Sequence, residues 1–248
     1  MNPRFSIVIP ARDEEHYLPR CLDAIERAAA PYREQVEVIV VINRCTDATE
    51  EIARARGARV VHDDSKCLSS IRNAGAREAA GEILLTIDAD SVMSEGLLSE
   101  VEQLLSSGRY IGGGTRFSFD RPSVLLGLLT WMITALLLVT RIAGACFWCL
   151  RRDFWAVNGF DEGLTSFEDV DFARRLKRHG KQQGKRFKVL VRSHIITAER
   201  KFSLLWRHPL ALPKLLLGRN EQIADLMWYE TPRHEKPDPT AIDHEGER

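Results

Sequence analysis

The sequence predicts an α/β protein built on a mostly parallel sheet flanked by helices, and three observations carry that expectation. Short apolar or β-branched runs end at polar loops, amphipathic stretches of helical spacing follow them, and the two alternate through the first half of the chain. At 248 residues the chain can bury a substantial core, as one large domain or two small ones.

"RFSIVIP", Arg4 to Pro10, is a short apolar strand bounded by proline. Behind it, "DEEHYLPRCLDAIERAAA" places Leu18, Cys21, Leu22, Ile25 and Ala29 on one helical face, with Pro19 acceptable only in the first turn. "VEVIVVI", Val36 to Ile42, is a continuous β-branched run, the mark of a strand covered on both faces. "DATEEIARARG" opens on a capping-box pattern, Asp47 to Glu50, and stops at Gly57. The cycle then repeats. "ARVVHDD" reads as a strand, Cys67 to Ala80 as a helix closed by Gly81, and "EILLTID" as a strand. A Ser94-led helix runs to Leu105, and another short strand precedes Gly112 to Gly114. Further on, "TSFEDVDFARRLKRHG" is helical, with Val170, Ala173 and Leu176 on one side, and "RFKVLVRSH" is a strand. The region from Lys201 to Tyr229 reads as apolar helix with proline breaks, and residues 231–248 as a polar, frayed tail. Alternation at this spacing implies right-handed βαβ units, with ligands at the carboxyl ends of the strands.

Lys plus Arg equals Asp plus Glu, 35 against 35, so no global basic excess favours a nucleic-acid partner. The five cysteines are odd in number and lie mostly in apolar or helical pattern, and the N-terminus lacks the shape of a signal peptide. This predicts a cytoplasmic protein. Cys146 and Cys149 have CxxC spacing but no companion Cys/His pair, so we read them as packed thiols rather than metal or redox ligands. Pro122 to Thr140 carries no charge, and its nineteen residues approach the thickness of a bilayer core. We expect this segment to be core, a homodimer interface or a peripheral contact at the inner face of the membrane, because one crossing would separate Asp88 and Asp90 from Asp169.

"GEILLTIDADS" carries the chemical question. Residues two apart on a strand point the same way, so Asp88 and Asp90 are expected side by side at a strand end. Such a pair persists if one member is protonated, if a basic side chain neutralises it, or if a divalent cation binds. Pro10 to Glu14 and Asn43 to Thr46 follow two other strands, so three polar loops face one crevice.

"PARDEE", "VINRCTDATEEIA", "RNAGAREAAGEILLTIDADS" and "GFDEGLTSFEDVDFARRLKRHG", in that order, resemble the family 2 glycosyltransferases over roughly Phe5 to Gly180. The resemblance implies a GT-A, Rossmann-like fold with a nucleotide-sugar-binding half (about 1–115) and a mixed acceptor-binding half (about 116–230). It also implies Mn²⁺ or Mg²⁺ as cofactor. Carried onto this sequence, Asp90 would ligate the metal, and Asp88 would contact the metal, its water or the nucleotide's sugar. Arg72 would reach the diphosphate or hold the loop, and Pro10, Ala11, Arg12 and Glu14 would line the nucleobase pocket. In "SFEDVDF" the resemblance makes Asp169 the base that takes the acceptor's proton, although Ser166 to Asp169 is also a capping-box pattern.

His194 is a further metal candidate, since imidazole suits Mn²⁺, and Arg200 and Lys201 could close over the diphosphate. Where the family often carries aspartates, Ile42 and Asn43 stand, and an amide both donates and accepts, which leaves the base open. There is no QxxRW motif, which counts against a processive polysaccharide synthase. The expected activity is metal-dependent, inverting transfer from a nucleoside-diphosphate sugar to a hydroxyl on a carbohydrate, lipid-linked or small-molecule acceptor. A nucleotidyltransferase and a non-catalytic nucleotide-sugar-binding protein are the alternatives.

Overall fold

The computed structural model describes residues 3–120, 146–164 and 168–198. The 122–140 segment, Ser166, Arg200, Lys201 and the expected helix and tail after them lie outside the described residues.

The elements are β1 (Phe5–Ala11), α1 (Leu18–Ala29), β2 (Val36–Ile42), α2 (Thr49–Ala55), β3 (Arg59–His62), α3 (Leu68–Glu78) and β4 (Ile83–Ile87). They continue with β5 (Ser91–Met93), α4 (Leu97–Ser106), β6 (Tyr110–Phe119), β7 (Cys146–Leu150), α5 (Arg151–Ala156), α6 (Glu168–Gln182) and β8 (Arg186–Thr197). The strands form one sheet in the order β3-β2-β1-β4-β7-β6-β8-β5. From β3 to β4 every pairing is parallel. Beyond β4 the sheet is mixed, with β7 antiparallel to both β4 and β6, and β8 parallel to β6 but antiparallel to β5.

Side-chain alternation divides the core between the two faces of the sheet. Ile7, Ile9, Val40, Leu85 and Trp148 pack with α1 and α4 on one face. Val8, Ile39, Val41, Leu84 and Phe147 pack with α3, α5 and α6 on the other. Cys146 and Cys149, three apart on β7, therefore face opposite cores. Both are buried free thiols, and burial pushes Cys146 up to about 12, so the pair cannot share one ion or one disulfide.

Two glycines set the spacing around the site. A Cβ on Gly75 would collide with Val8 and Val41, so only glycine lets α3 lie this close to β1 and β2. A Cβ on Gly113 would collide with the Lys188 carbonyl and the Trp148 ring, so only glycine fits there, and β6 runs through Gly112 to Gly114, paired with β7 and β8, rather than ending before them. Pro19 sits in the first turn of α1, where its missing N–H costs nothing.

Two local expectations are corrected. The Asp47 to Glu50 capping box does not form: Asp47 accepts the Thr49 N–H two residues on (3.0 Å), and Glu50 pairs with Arg54 (2.7 Å). Asp88 and Asp90 do not extend a strand, because β4 ends at Ile87 and the Ser91 N–H bonds back to the Asp88 carbonyl (3.1 Å). The chain turns between them and enters β5, so the alternation rule does not govern where their carboxylates point.

Candidate functional site

The crevice at the carboxyl ends of β1, β2 and β4 is built from loops laced to one another. Pro10 and Ala11 close β1 as buried residues, and the Ala11 carbonyl accepts the Asn43 N–H (2.9 Å). Arg12 lies half-buried at the rim, 4.0 Å from the Asp13 carboxylate, and Glu14 is buried with its N–H donating to Thr49 Oγ1 (2.7 Å). Thr46 N–H donates to Asp13 Oδ1 (2.6 Å), and Glu15 N–H to Asp47 Oδ2 (3.0 Å). Asp13 and Arg44 both adopt φ near +50°, a left-handed strain that these cross-links hold in place.

Asn43 is fully buried, and its amide group donates to the Asp63 (2.6 Å) and Ser65 (2.9 Å) carbonyls. Two carbonyls demand two N–H donors, which an aspartate lacks. Asn43 therefore ties the β2 loop to the segment between β3 and α3.

Arg72, on α3, is the centre of the site. Its guanidinium is buried over the Phe160 ring, with Nη2 3.1 Å from Asp88 Oδ1 and Nη1 3.1 Å from Glu168 Oε1. Burial opposes its charge, and Asp88, Glu168 and Asp169 more than offset that, so its pKa rises. One fork thus joins the turn after β4 to the first residue of α6. Asp169 follows Glu168 directly, and Val170 N–H donates to its Oδ1 (2.7 Å). Burial and the Glu168 charge push Asp169 up to about 6, against the lowering effect of Arg72. A carboxylate in that range is ionised at neutral pH yet basic enough to take a proton.

The loop leading to α6 is latched on the same helix. Asn73 Nδ2 donates to the Phe160 carbonyl (2.8 Å) and to Glu162 Oε1 (2.9 Å), and Asn73 Oδ1 accepts the Phe160 N–H (2.9 Å). Ser70 and Arg77 also hold Glu162, which keeps its carboxyl below the usual range, chiefly through the Asn73 bond. The sequence reading missed Glu168, Asn73 and Glu162 as contributors. Each lay inside a quoted motif, but only the tertiary fold brings α3 against the "GFDEGL" loop.

Asp90 is buried and lines a small crevice with Tyr17, Arg20, Val92, Asp120 and Thr197. Its carbonyl accepts the Ala198 N–H (3.2 Å), whereas His194 pairs with Ser94 at the opposite end of the β5–β8 ladder. Four residues of strand separate those levels, about 13 Å. Antiparallel pairing with β5 thus sets the His194 backbone beside Ser94, while the Asp90 backbone lies beside Ala198.

Asp88 and Asp90 offer hard carboxylate oxygens at an open strand end, a donor set suited to Mg²⁺ or Mn²⁺ with the remaining positions left to substrate and water. Asp13, Cys45 and Asp47 also bring one ligand atom each within 4.8 Å of one another. There both carboxylates already accept loop N–H bonds, and burial raises the Cys45 pKa, favouring the thiol.

Comparison with known proteins agrees with this geometry. Glycosyltransferase AglE of Haloferax volcanii is 29% identical over 125 residues, covering 47% of this chain and 41% of that protein. Uncharacterized glycosyltransferase EpsJ of Bacillus subtilis is 32% identical over 137 residues, covering 50% of this chain and 39% of that protein. The chain thus aligns with about two-fifths of the length of these curated relatives. Among solved structures, S. aureus TarS 1–349 in complex with UDP-GlcNAc superposes with TM-score 0.60 at 18% identity, covering 92% of this chain and 71% of that one. Mannosyltransferase PcManGT from Pyrobaculum calidifontis, in complex with GDP-Man and Mn²⁺, superposes with TM-score 0.62 at 18% identity, covering 86% of this chain and 65% of that one. These likenesses establish the fold as that of GT-A glycosyltransferases. The family model for glycosyl transferase family 2 matches residues 6–150, from β1 through β7, which takes in the loops after β1, β2 and β4 and ends before the loop that leads to α6, and the chain belongs to that family.

Proposed function

We propose that the chain transfers a sugar from a nucleoside-diphosphate sugar to an acceptor hydroxyl, with dependence on a divalent cation and inversion at the anomeric carbon. The observation that carries this reading is the Arg72 bridge, which joins Asp88 of the donor-side turn to Glu168, the neighbour of Asp169. Two carboxylate groups with different tasks thereby share one crevice.

Asp88 and Asp90 would hold Mn²⁺ or Mg²⁺, which when bound supplies positive charge against the leaving diphosphate. Pro10, Ala11, Arg12 and Glu14 would line the nucleotide pocket, Asn43 would hold the loops beneath it, and Ala89 would set the turn that separates the two aspartates. Asp169 takes the acceptor proton while the hydroxyl attacks from the face opposite the leaving group, so the configuration inverts. Arg72 keeps Asp169 ionised and the two loops in register. Nucleotide sugars are named with two structural neighbours, UDP-GlcNAc with TarS and GDP-Man with PcManGT, which supports the donor class and leaves both bases eligible.

The test is Asp169→Asn, assayed with UDP- and GDP-sugars with and without Mn²⁺. Donor affinity should persist while transfer falls about 10²- to 10⁴-fold, the range for losing a general base. Unchanged turnover would sink the base assignment, and cation-independent donor binding would sink the metal.

A further inference from the structure

The end of α6 remote from Asp169 carries a feature that sugar transfer does not use. A cleft of about 420 Å³ is lined by Arg174, Lys177, Arg178, Lys181, Lys185 and Arg186, with the buried Phe187 among them and no acidic residue in its wall. Between Phe172 and Ala198 the sequence has nine Lys and Arg and no Asp or Glu, in a chain whose 35 Lys and Arg are matched by 35 Asp and Glu overall. The acids of α6 are gathered in its first turn, at Glu168, Asp169 and Asp171. Arg175 turns away to Asp171 and the Gly159 carbonyl, so it does not belong to the cleft. Arg109 and Arg186 both lie over the Tyr110 ring, at 5.9 and 5.2 Å, which extends the positive surface to the start of β6.

The helix macrodipole favours cations only in the last turn, so it accounts for Lys181 and not for Arg174 or Arg178. Six like charges around one cleft repel, and an anionic counter-surface removes that repulsion. We infer that this basic cleft docks the protein on an anionic phospholipid surface. Two features favour lipid over nucleic acid. Phe187 is only 6% exposed and offers no stacking platform for bases. The same sequence contains the uncharged apolar run Pro122 to Thr140, which a lipid surface can accommodate and a nucleic acid does not reward. This docking is independent of the assigned chemistry.

The test is co-sedimentation of the full chain with vesicles of neutral phosphatidylcholine alone and with added phosphatidylglycerol, at low and high salt. The protein should bind the anionic vesicles, leave the neutral ones, and be released as salt shortens the screening length. The triple variant Arg174→Gln, Arg178→Gln, Lys181→Gln should bind anionic vesicles on the order of 100-fold more weakly, at about 1 kcal/mol per lost charge near the surface. Its melting temperature should be no lower than the parent's, since like-charge repulsion is relieved, and its donor hydrolysis, measured in parallel, should match the parent, since none of the three touches the crevice. Equal binding to neutral vesicles, anionic binding unaffected by the triple variant, or tighter binding to an RNA oligonucleotide than to anionic vesicles would each overturn the inference.

Discussion

Asp169→Asn should stabilise the protein at neutral pH while slowing transfer. The Asp169 carboxyl is raised from 3.8 to about 6, first by burial and then by Glu168. An acid whose folded pKa lies above its unfolded value binds its proton more tightly when folded, so ionising it opposes folding as pH rises. At about 1.4 kcal/mol per pH unit, that difference costs at most about 3 kcal/mol above pH 6. The half-buried position of Asp169 makes this an upper bound. Asparagine is nearly isosteric, keeps an oxygen for the Val170 N–H, and carries no charge to desolvate or to repel Glu168. For a chain of this size each kcal/mol moves the melting temperature by about 2–4 °C, so the gain reaches up to about 6–12 °C at pH 7. It should shrink as pH falls through 6 and vanish near pH 4, where wild-type Asp169 is itself protonated. Thermal melts of both proteins between pH 4 and 8 measure it. A melting temperature that falls at pH 7, or a difference that does not change with pH, would refute the reasoning.

Two more outcomes follow from the same contacts. Arg72→Gln leaves Asp88 and Glu168 without their shared cation, and urea denaturation should report a loss of about 3–5 kcal/mol. Because Arg72 lowers the Asp169 pKa, the acid limb of kcat/KM should move above pH 6 in this variant. Arg72→Lys should not rescue stability, since one ammonium cannot span both carboxylates. Asn43→Asp, the residue the family often carries, should cost about 2–3 kcal/mol, because it turns a carboxylate toward the Asp63 and Ser65 carbonyls. An unchanged urea midpoint would show that Asn43 is not the tie between those loops.

The α/β class was legible because β-branched runs and helical spacing are local signals. Val36 to Ile42 reads as a two-sided strand and is one, with Ile39 and Val41 against one core and Val40 and Ile42 against the other. Arg72, Asp88 and Asp169 were legible as motif members. Two expectations failed because they extended a local rule past the point where tertiary structure took over. The Asp88 and Asp90 alternation assumed a strand that stops at Ile87, and the Asp47 to Glu50 capping box gave way to an Asp47 bond to the Thr49 N–H and a Glu50 pair with Arg54.

What this sequence determined alone was the succession of elements and the acidic and basic side chains presented at their ends, since periodicity and turn chemistry act over a few residues. Only the tertiary structure decided which of those charges meet. Gly75 lets α3 approach β1 and β2, Asn73 latches the loop before α6 onto that helix, and Arg72 then finds Asp88 and Glu168, separated in sequence by 80 residues, each 3.1 Å from one guanidinium. The same tertiary arrangement gathers the α6 acids at the crevice and its cations around the distal cleft, because contacts across the sheet are set by packing rather than by neighbours in the chain.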